Sequence, residues 1–325
     1  MKVFLTGATG YIGHQLAIEL ANQNYEVTAL VRDLKSNSVP KHNNVIPIKG
    51  DICNYESVDK AIKNCAYVFH TAAFTDLKSN KLDNFYNNNV TGTYNILKAS
   101  LENNIKKVIH TSTLSVFGPS LYQVPITERQ PRMTSYANDY ELTKKMSEDI
   151  VLEFVKKGLP STILNVTRVY GPGLNTHSNG VNKIIAKIIF DRVLLVPSNL
   201  KVEANYVYID DVINAQMLAL KHGISGEKYI IGGENIDYDG LFKKIINLSK
   251  SDISIFKINY NFIKNAFALK ANLNSVLGMN GSITPKVLDS LFTHRSASSE
   301  KAISSLNYKI TTLDKGLEQT IQFLR

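Results

Sequence analysis

The order of apolar segments along this chain predicts an α/β fold built on a doubly wound parallel sheet. Short apolar runs alternate with longer segments of helical period through the first half of the 325 residues. A glycine-rich turn joins the first run to the first helical segment. Because strands that alternate with helices at this spacing form parallel sheets, we expect helices on both faces of the sheet.

Each expected strand of the first half is a short apolar run; these are residues 3–5, 25–31, 45–48, 66–69, 107–110 and 161–166. The expected helices between them are residues 11–22, 57–63, 90–102 and 140–157. After Gly171 the pattern loosens, with helices expected at 180–190 and 210–221 and strands near 193–196 and 205–209. Asp210 or Asp211 is the expected N-cap of the second of these helices. We expect a domain over residues 1–170 and a smaller mixed α/β part over 171–325, packed on the first and interleaved with it.

The composition argues against several classes of protein. The formal charge is +9, but Lys and Arg are scattered without a run of five, so we expect a solvated basic surface and no nucleic-acid partner. Cys53 and Cys65 form no CxxC pattern and the histidines form no cluster, so neither disulfides nor a metal site is expected. The chain has no run of 18 apolar residues and no signal-peptide pattern, which indicates a cytoplasmic protein without a membrane span.

The glycine turn has the spacing G-x-x-G-x-x-G, with Gly7, Gly10 and Gly13 directly after the first expected strand. Gly7 is expected to permit a tight turn, Gly10 the close approach of a pyrophosphate, and Gly13 the packing of helix on strand. The helix N-terminus adds unpaired N–H groups and the positive end of a dipole. This context predicts a dinucleotide-binding domain over residues 1–170 and a mainly substrate-binding part over 171–325.

The end of the second expected strand bears on the choice between NADP and NAD. Val31 is followed by Arg32 and Asp33. An arginine here accommodates the 2′-phosphate of NADP, whereas an acid binds the 2′-hydroxyl of NAD. Arg32 therefore favours NADP; the alternative is that Arg32 is a surface charge and Asp33 serves the ribose of NAD. Asp51, after the third expected strand, would either accept from the adenine amino group or cap the next helix.

Tyr140 and Lys144 are four residues apart and share one face of an expected helix. A phenol has a pKa of about 10, and the Lys144 ammonium with a positive nicotinamide would lower that pKa by favouring the phenolate. The same phenol would donate a proton to a carbonyl that is being reduced. Thr111, Ser112 and Thr113 follow an expected strand, and one of their hydroxyls is expected to polarise the carbonyl. For the Tyr–Lys pair alone, the alternative is a solvent-facing helix pair.

Taken together, these motifs resemble the extended short-chain dehydrogenase/reductase family, of the NAD-dependent epimerase/dehydratase type, over nearly the full chain. The motifs are TGATGYIG at 6–13, GD at 50–51, VFHTAA at 68–73, NVTGTYNIL at 89–97, TSTLSVFG at 111–118, YELTK at 140–144, VTRVYGPG at 166–173 and YVYIDDV at 206–212. The segments VRD at 31–33, IIGGEN at 230–235 and 294–308 resemble its dihydroflavonol-reductase-like and hopanoid-associated sugar-epimerase-like branch.

The resemblance implies a Rossmann sheet in which Tyr140 is the acid/base, Lys144 is its pKa partner and ribose ligand, and Thr113 is the third catalytic member. Leu114 and Ser115 stand where sugar-nucleotide dehydratases carry an Asp-Glu pair, so dehydration is not expected. Val166 stands where a Pro is usual in the family. The implied cofactor contacts are Gly7, Thr9, Gly10, Tyr11, Ile12, Gly13, Arg32, Asp51, Ile52, Thr71, Ala72, Ala73, Thr111, Tyr140, Lys144 and Val166.

These features predict an enzyme that uses NADPH to reduce an aldehyde or ketone, with Tyr140 as the proton donor. The alternative is a nucleotide-sugar epimerase that retains NAD, and a third hypothesis is a nucleotide sensor without catalysis. The expected partner is a small carbonyl compound or a sugar nucleotide, contacted by residues 74–75, 115 and part of 171–206. The helices at 85–102 and 140–157 are expected to pair with their copies in a homodimer, as in the family.

Overall fold

The computed structural model describes residues 1–77, 79, 81–121, 124–176, 179–276 and 284–325, and the side chains of all of these except 272–276. Residues 177 and 178 of the expected substrate region lie outside this set. The strands are β1 (Lys2–Thr6), β2 (Glu26–Val31), β3 (Val45–Lys49), β4 (Tyr67–His70), β5 (Lys107–Thr113), β6 (Ser161–Val166), β7 (Arg168–Tyr170), β8 (Val193–Pro197), β9 (Glu203–Tyr208), β10 (Lys228–Ile231), β11 (Glu234–Asp237) and β12 (Ser254–Ile258).

The α-helices are α1 (Tyr11–Asn22), α2 (Tyr55–Ile62), α3 (Leu82–Phe85), α4 (Gly92–Glu102), α5 (Asp139–Lys156), α6 (Gly180–Phe190), α7 (Ile209–His222), α8 (Tyr238–Ser249), α9 (Tyr260–Val276), α10 (Pro285–Leu291), α11 (Glu300–Leu306) and α12 (Leu313–Leu324). A π-helical turn, Tyr86–Thr91, joins α3 to α4, and a 3₁₀ turn, Leu114–Phe117, follows β5. Among the described helices, none combines the length and the apolar character that a bilayer span requires.

Seven parallel strands form the central sheet in the order β10–β6–β5–β4–β1–β2–β3. This order confirms the predicted doubly wound sheet. The chain lays down β2 and β3 on one side of β1 and then returns to place β4 on the other side. Sheets of this kind bind ligands at the carboxyl ends of the strands where the order reverses. The topology therefore predicts a ligand-binding site at the carboxyl ends of β1 and β4.

Both faces of the central sheet are covered, so its strands are apolar on both sides. Val3 and Leu5 of β1 lie in the core formed with α1 and α7. Phe4 between them lies in the opposite core, formed with α2, α4 and α5. Successive side chains of a strand point to opposite faces, which explains why a continuous apolar run was needed here instead of an alternating pattern.

The part of the chain after residue 170 contributes to the central sheet and also builds smaller sheets. β10 lies beside β6 at the edge of the central sheet, and α7 packs on the same face as α1. A three-stranded sheet has the order β11–β9–β7, and β12 pairs with β8. β7 follows β6 after a single residue, Thr167, so the second sheet begins at the carboxyl edge of the first.

Two local expectations differ from the structure. The helix expected to start at Val90 instead begins at Leu82. A π-helical turn, Tyr86–Thr91, joins α3 to α4, and because this turn lacks the 3.6-residue period, the sequence pattern did not reveal the earlier start. The expected N-cap of α7 was also wrong: the cap position is Tyr208, which makes no side-chain capping bond. Asp210 and Asp211 lie in the first turn instead, and Asp211 accepts hydrogen bonds from the main chain and the hydroxyl of Thr311.

Candidate functional site

The glycine turn packs too closely for larger residues at two positions. Gly7 has a φ of +80°, and a Cβ there would lie 2.6 Å from Thr71 Oγ1 and 2.7 Å from Ala72 N. A Cβ at Gly13 would lie 2.1 Å from the carbonyl oxygen of Gly7. A Cβ at Gly10 would approach only that same oxygen, at 3.2 Å, so this glycine faces open space.

The N-terminus of α1 follows this turn and lies at the switch point of the sheet. Its N-cap, Gly10, makes no side-chain hydrogen bond, and the first turn carries no acid. The N–H groups of a first helical turn lack intrahelical partners and attract anions. Thr9 and Ile12 are partly buried here, whereas the Tyr11 hydroxyl donates to Gly171 O at 2.7 Å. The Tyr11 ring thus holds the loop after β7 against α1.

The wall opposite this helix is the segment after β4. The Thr71 hydroxyl donates to Thr6 O at 2.7 Å, which fixes Thr71 and the following Ala72 and Ala73 beside the glycine turn. One residue further on, Asn89 of the π-helical turn accepts from Phe74 N at 2.7 Å and donates to Phe74 O at 3.2 Å. Sequence reasoning missed Asn89, although it opens the NVTGTYNIL motif.

The ends of β2 and β3 carry the residues expected near the adenosine. Arg32 is exposed and has no hydrogen bond or ion pair within the described part of the chain. The neighbouring Asp33 carboxylate accepts from Lys35 N at 2.9 Å, and that of Asp51 accepts from Cys53 N at 2.9 Å. Ile52 is buried against α4, where Asn95 donates to its carbonyl at 2.9 Å. Of these groups, Arg32 is the one free to meet a ligand charge.

Thr113 and Tyr140 meet at the carboxyl end of β5. Thr113 is the last residue of β5, is aligned with Val166 of β6, and its hydroxyl lies 3.1 Å from that of Ser115. Asn138 caps α5 by accepting from Glu141 N, which places Tyr140 in the first turn. Burial raises the pKa of Tyr140 to about 12, and the nearby Thr113 hydroxyl opposes this shift. This value belongs to the protein without cofactor, whereas the lowering expected from Lys144 and a positive nicotinamide concerns the cofactor-bound form.

Lys144 lies one turn beyond Tyr140, with its amine under the end of β5. Its Nζ donates to Thr111 O at 2.9 Å and lies 3.4 Å from Nε2 of His110, a buried imidazole. Burial lowers the pKa of Lys144 to about 8, against the opposing effect of the Glu148 carboxylate. The amine is thus positioned by main-chain and imidazole acceptors, not by a direct ion pair.

Glu148 is a second residue that sequence reasoning missed. It is fully buried one helical turn after Lys144, and it accepts from Ser112 Oγ at 2.5 Å and Asn165 Nδ2 at 2.6 Å. Its other oxygen pairs with Lys228 of β10 at 2.5 Å. This carboxylate ties α5 to β5, β6 and β10 one helical turn beyond Lys144. The signal for Glu148 in the sequence was its position four residues after Lys144, on the same face of the predicted helix.

A cavity of about 70 Å³ opens beside Thr113, and Ser115, Val166 and Thr167 also line it. The remaining lining residues are Leu114, Arg168, Asn205 and Arg295. The structure therefore brings Thr113, Tyr140 and Lys144 together with Val166 at one sheet edge. The glycine turn, residues 71–73 and Arg32 lie further along the same edge, at the carboxyl ends of β1, β4 and β2 respectively.

Similarities to protein families and known proteins agree with this geometry. The sequence profile described as the NAD dependent epimerase/dehydratase family matches residues 3–232. The sterol demethylase protein B of Methylococcus capsulatus is 28% identical over 237 residues, which cover 72% of this chain and 70% of that protein. The 4-hydroxy-2-methyl-3-oxo-4-farnesyl-3,4-dihydroquinoline-1-oxide ketoreductase of Stigmatella aurantiaca is 25% identical over 231 residues, covering 71% and 68%.

Among solved structures, the UDP-glucose 4-epimerase of Thermus thermophilus in complex with NAD superposes with a TM-score of 0.81. The match covers 100% of this chain and 99% of that one at 20% identity. At this level of identity the likeness concerns the fold, including the part after residue 170.

Proposed function

Because this chain belongs to the NAD-dependent epimerase/dehydratase family of extended short-chain dehydrogenases/reductases, we propose that it uses NADPH to reduce an aldehyde or ketone. It is an enzyme of that family, whose members compared above include a ketoreductase and an epimerase. One observation carries the proposal: Thr113 lines a cavity and lies close enough to Tyr140 to affect its pKa. A hydroxyl for the substrate oxygen and a proton donor thus meet at one place.

The residues around the glycine turn fit a dinucleotide. A Cβ at Gly7 or Gly13 would fill the turn, the N-terminus of α1 has no capping side chain, and Gly10 faces open space. We assign the diphosphate to this turn and the nicotinamide end to residues 71–73, Lys144 and Val166. When bound, the cofactor supplies the hydride. Residues 171–325, apart from α7 and β10, form the proposed substrate-binding part.

The protonation state of Tyr140 is compatible with reduction. With a pKa of about 12 before cofactor binds, the phenol keeps its proton at neutral pH. A protonated phenol is the form that delivers a proton to the carbonyl oxygen of a substrate being reduced. Thr113 donates a hydrogen bond to the same oxygen and holds it in place. Lys144, with a pKa lowered to about 8, readily exchanges a proton near neutral pH.

NADPH is the proposed form of the cofactor because of Arg32. This guanidinium is exposed at the end of β2 without a partner in the described residues, while one oxygen of Asp33 is engaged by Lys35 N. An arginine at this position accommodates a 2′-phosphate. The alternative, an epimerase that retains NAD, is supported by the NAD-bound epimerase of the same fold. A non-catalytic sensor is disfavoured because Tyr140 and Lys144 are both present.

The test is NADPH oxidation over a panel of aldehydes and ketones. Tyr140→Phe removes the proton donor, so kcat/KM should fall by about 100- to 10,000-fold while the Kd for NADPH is retained. Tyr25→Phe is the matched control, because Tyr25 precedes β2 at the opposite edge of the sheet. An active Tyr140→Phe enzyme would refute the proposal. Stoichiometric NAD released on denaturation, with interconversion of sugar nucleotides and no NADPH oxidation, would establish the epimerase.

We also propose a homodimer through the helices at 82–102 and 139–156. Tyr86 is 42% exposed and Tyr94 is 44% exposed on the first of these, although both carry large rings. Tyr94 packs edge-on against Phe154 of α5, with ring centroids 5.6 Å apart, so the two helices present one continuous surface. Light scattering at micromolar concentration should give twice the mass of the chain, and a monomer would refute this.

A further inference from the structure

The cavity beside Thr113 is lined by two arginines, of which Arg168 has no carboxylate partner among the described residues and Arg295 shares one with Arg132. Arg168 and Arg295 both line it, and no acidic residue does. Arginine remains charged in proteins, so these side chains bring two positive charges to a site that is partly closed to water. Charges placed in such surroundings need a partner, because desolvation is costly.

Arg168 has no carboxylate partner in the described part of the chain. Its Nη1 donates to the Tyr238 hydroxyl at 2.5 Å and its Nη2 to Leu291 O at 2.9 Å. The guanidinium also lies 5.2 Å from the centre of the Tyr238 ring. These neutral contacts hold the group rigidly at the start of β7. They orient its charge without neutralising it.

Arg295 shares its one partner with another arginine. Its Nη2 pairs with Glu141 at 2.5 Å, and Arg132 pairs with the other oxygen of the same carboxylate at 2.6 Å. The Arg295 side chain is only 14% exposed, and its Nε is buried without a hydrogen-bond partner among the described residues. The hydroxyl of Thr167, which also lines the cavity, is equally unpaired.

Among the described residues, three guanidinium groups (Arg132, Arg168 and Arg295) have one carboxylate ion-pair partner between them, Glu141, which pairs with Arg132 and Arg295. The pKa of Arg295 is lowered by burial and by the charges of Arg168 and Arg132, against the effect of Glu141. The two arginines of the cavity therefore repel each other. An anionic group between them would relieve this repulsion.

We propose that the substrate carries a carboxylate beside its reacting carbonyl, and that Arg168 and Arg295 bind this carboxylate. The proposal rests on the reductase function proposed above and narrows its substrate to a carbonyl acid. The carbonyl carbon gains a hydride from NADPH, the carbonyl oxygen gains a proton from Tyr140, and the products are a hydroxy acid and NADP⁺.

The cavity is large enough for a carboxylate and its neighbouring carbonyl group. At roughly 10–15 Å³ for each water-sized group, a cavity of about 70 Å³ holds about five such groups. A carboxylate and the adjoining carbonyl carbon and oxygen have that size. Because Thr113 lines the same cavity, the carboxylate lies within a few bonds of the reacting carbon. The carboxylate belongs either to a small oxo acid or to a keto-uronic acid of a sugar nucleotide, of which UDP-glucuronic acid is the unreactive hydroxy counterpart.

The first experiment compares each oxo acid of a panel with its methyl ester, using NADPH and the full-length protein. The wild type should prefer the acid in kcat/KM by about 10- to 100-fold, as expected for hydrogen bonds to a charged group. Arg168→Met should remove this preference mainly through KM, and Arg168→Lys should keep part of it. Arg192→Met is the matched control, since Arg192 is exposed in the substrate-binding part. Equal rates for acid and ester in the wild type would overturn the proposal.

A binding experiment separates this proposal from the reductase function. Oxamate, an unreactive analogue of a 2-oxo acid, and UDP-glucuronic acid are titrated by calorimetry into wild type, Arg168→Met and Arg295→Gln. The neutral comparators are oxamide and UDP-glucose. Tighter binding of either acid than of its comparator, lost in both variants, supports the carboxylate site and identifies its source, even if no NADPH is oxidised. If the variants are folded by thermal melting and bind the acids as the wild type does, the site is disproved.

Discussion

The glycine cradle, by which we mean residues 6–13 with residues 71–73, and the cavity beside Thr113 are built in opposite ways. The cradle consists of main chain and small side chains: a Cβ at Gly13 would lie 2.1 Å from Gly7 O. The cavity includes two long charged side chains, Arg168 and Arg295, which are held by tyrosine, main-chain and carboxylate partners. The cradle leaves no room for larger side chains, whereas the cavity brings positively charged side chains together.

This difference indicates how each region selects its ligand. The cradle offers N–H groups and allows a ligand to approach its backbone closely. These features suit a diphosphate whatever the rest of the nucleotide is. The cavity offers donors and charge in a fixed arrangement, which suits one particular group. Changes in the cradle should therefore affect folding and every nucleotide, and changes in the cavity should affect particular substrates.

The largest effect should come from filling the cradle. Gly13→Ala places a methyl group against the Gly7 carbonyl, and overpacking of this kind costs about 1–3 kcal/mol or more. We expect a lower Tm and loss of both NADPH and NADH binding, measured by thermal melting and by nucleotide fluorescence, since the chain has no Trp.

Gly180→Ala is the matched control for that experiment. Gly180 is the first residue of α6, and a Cβ there would have no atom within 4 Å. Its Tm should stay the same or rise slightly, because alanine is the better helix former. A Gly13→Ala protein that melts and binds nucleotide like the wild type would show that the cradle is not sterically limited.

The cradle was predictable because its determinants are local in sequence. Gly7, Gly10 and Gly13 lie within one turn, and the helix predicted after them, 11–22, has the bounds observed for α1. Six of the seven strands of the central sheet were predictable for the same reason, since each is a separate apolar run; β10 was not among the predicted strands. The spacing of Tyr140 and Lys144 on one helix is also local.

The cavity was not predictable, because its charges come from distant segments. Arg168 starts β7 and Arg295 follows α10, and they meet only after the second sheet has formed on the first. No spacing rule connects them. The lack of a carboxylate partner for Arg168 among the described residues is likewise a property of the folded chain. The rise in the pKa of Tyr140 caused by burial is another property of the folded chain.

The smallest predicted effect concerns Arg32. This residue lies outside the cradle, at the end of β2, and is the expected place of charge recognition on the cofactor. Arg32→Ala removes a charge-assisted contact to a 2′-phosphate, which is worth about 1.5–3 kcal/mol in general. Because Arg32 is exposed and such charges are screened by salt, we expect the low end, about a tenfold rise in the Kd for NADPH. The Kd for NADH should not change, and neither should change in Arg192→Ala, another exposed arginine. Equal weakening of NADPH binding and NADH binding would mean that Arg32 supports the fold of the turn. If the binding of neither is weakened, the ribose is assigned to Asp33 and the cofactor is NAD.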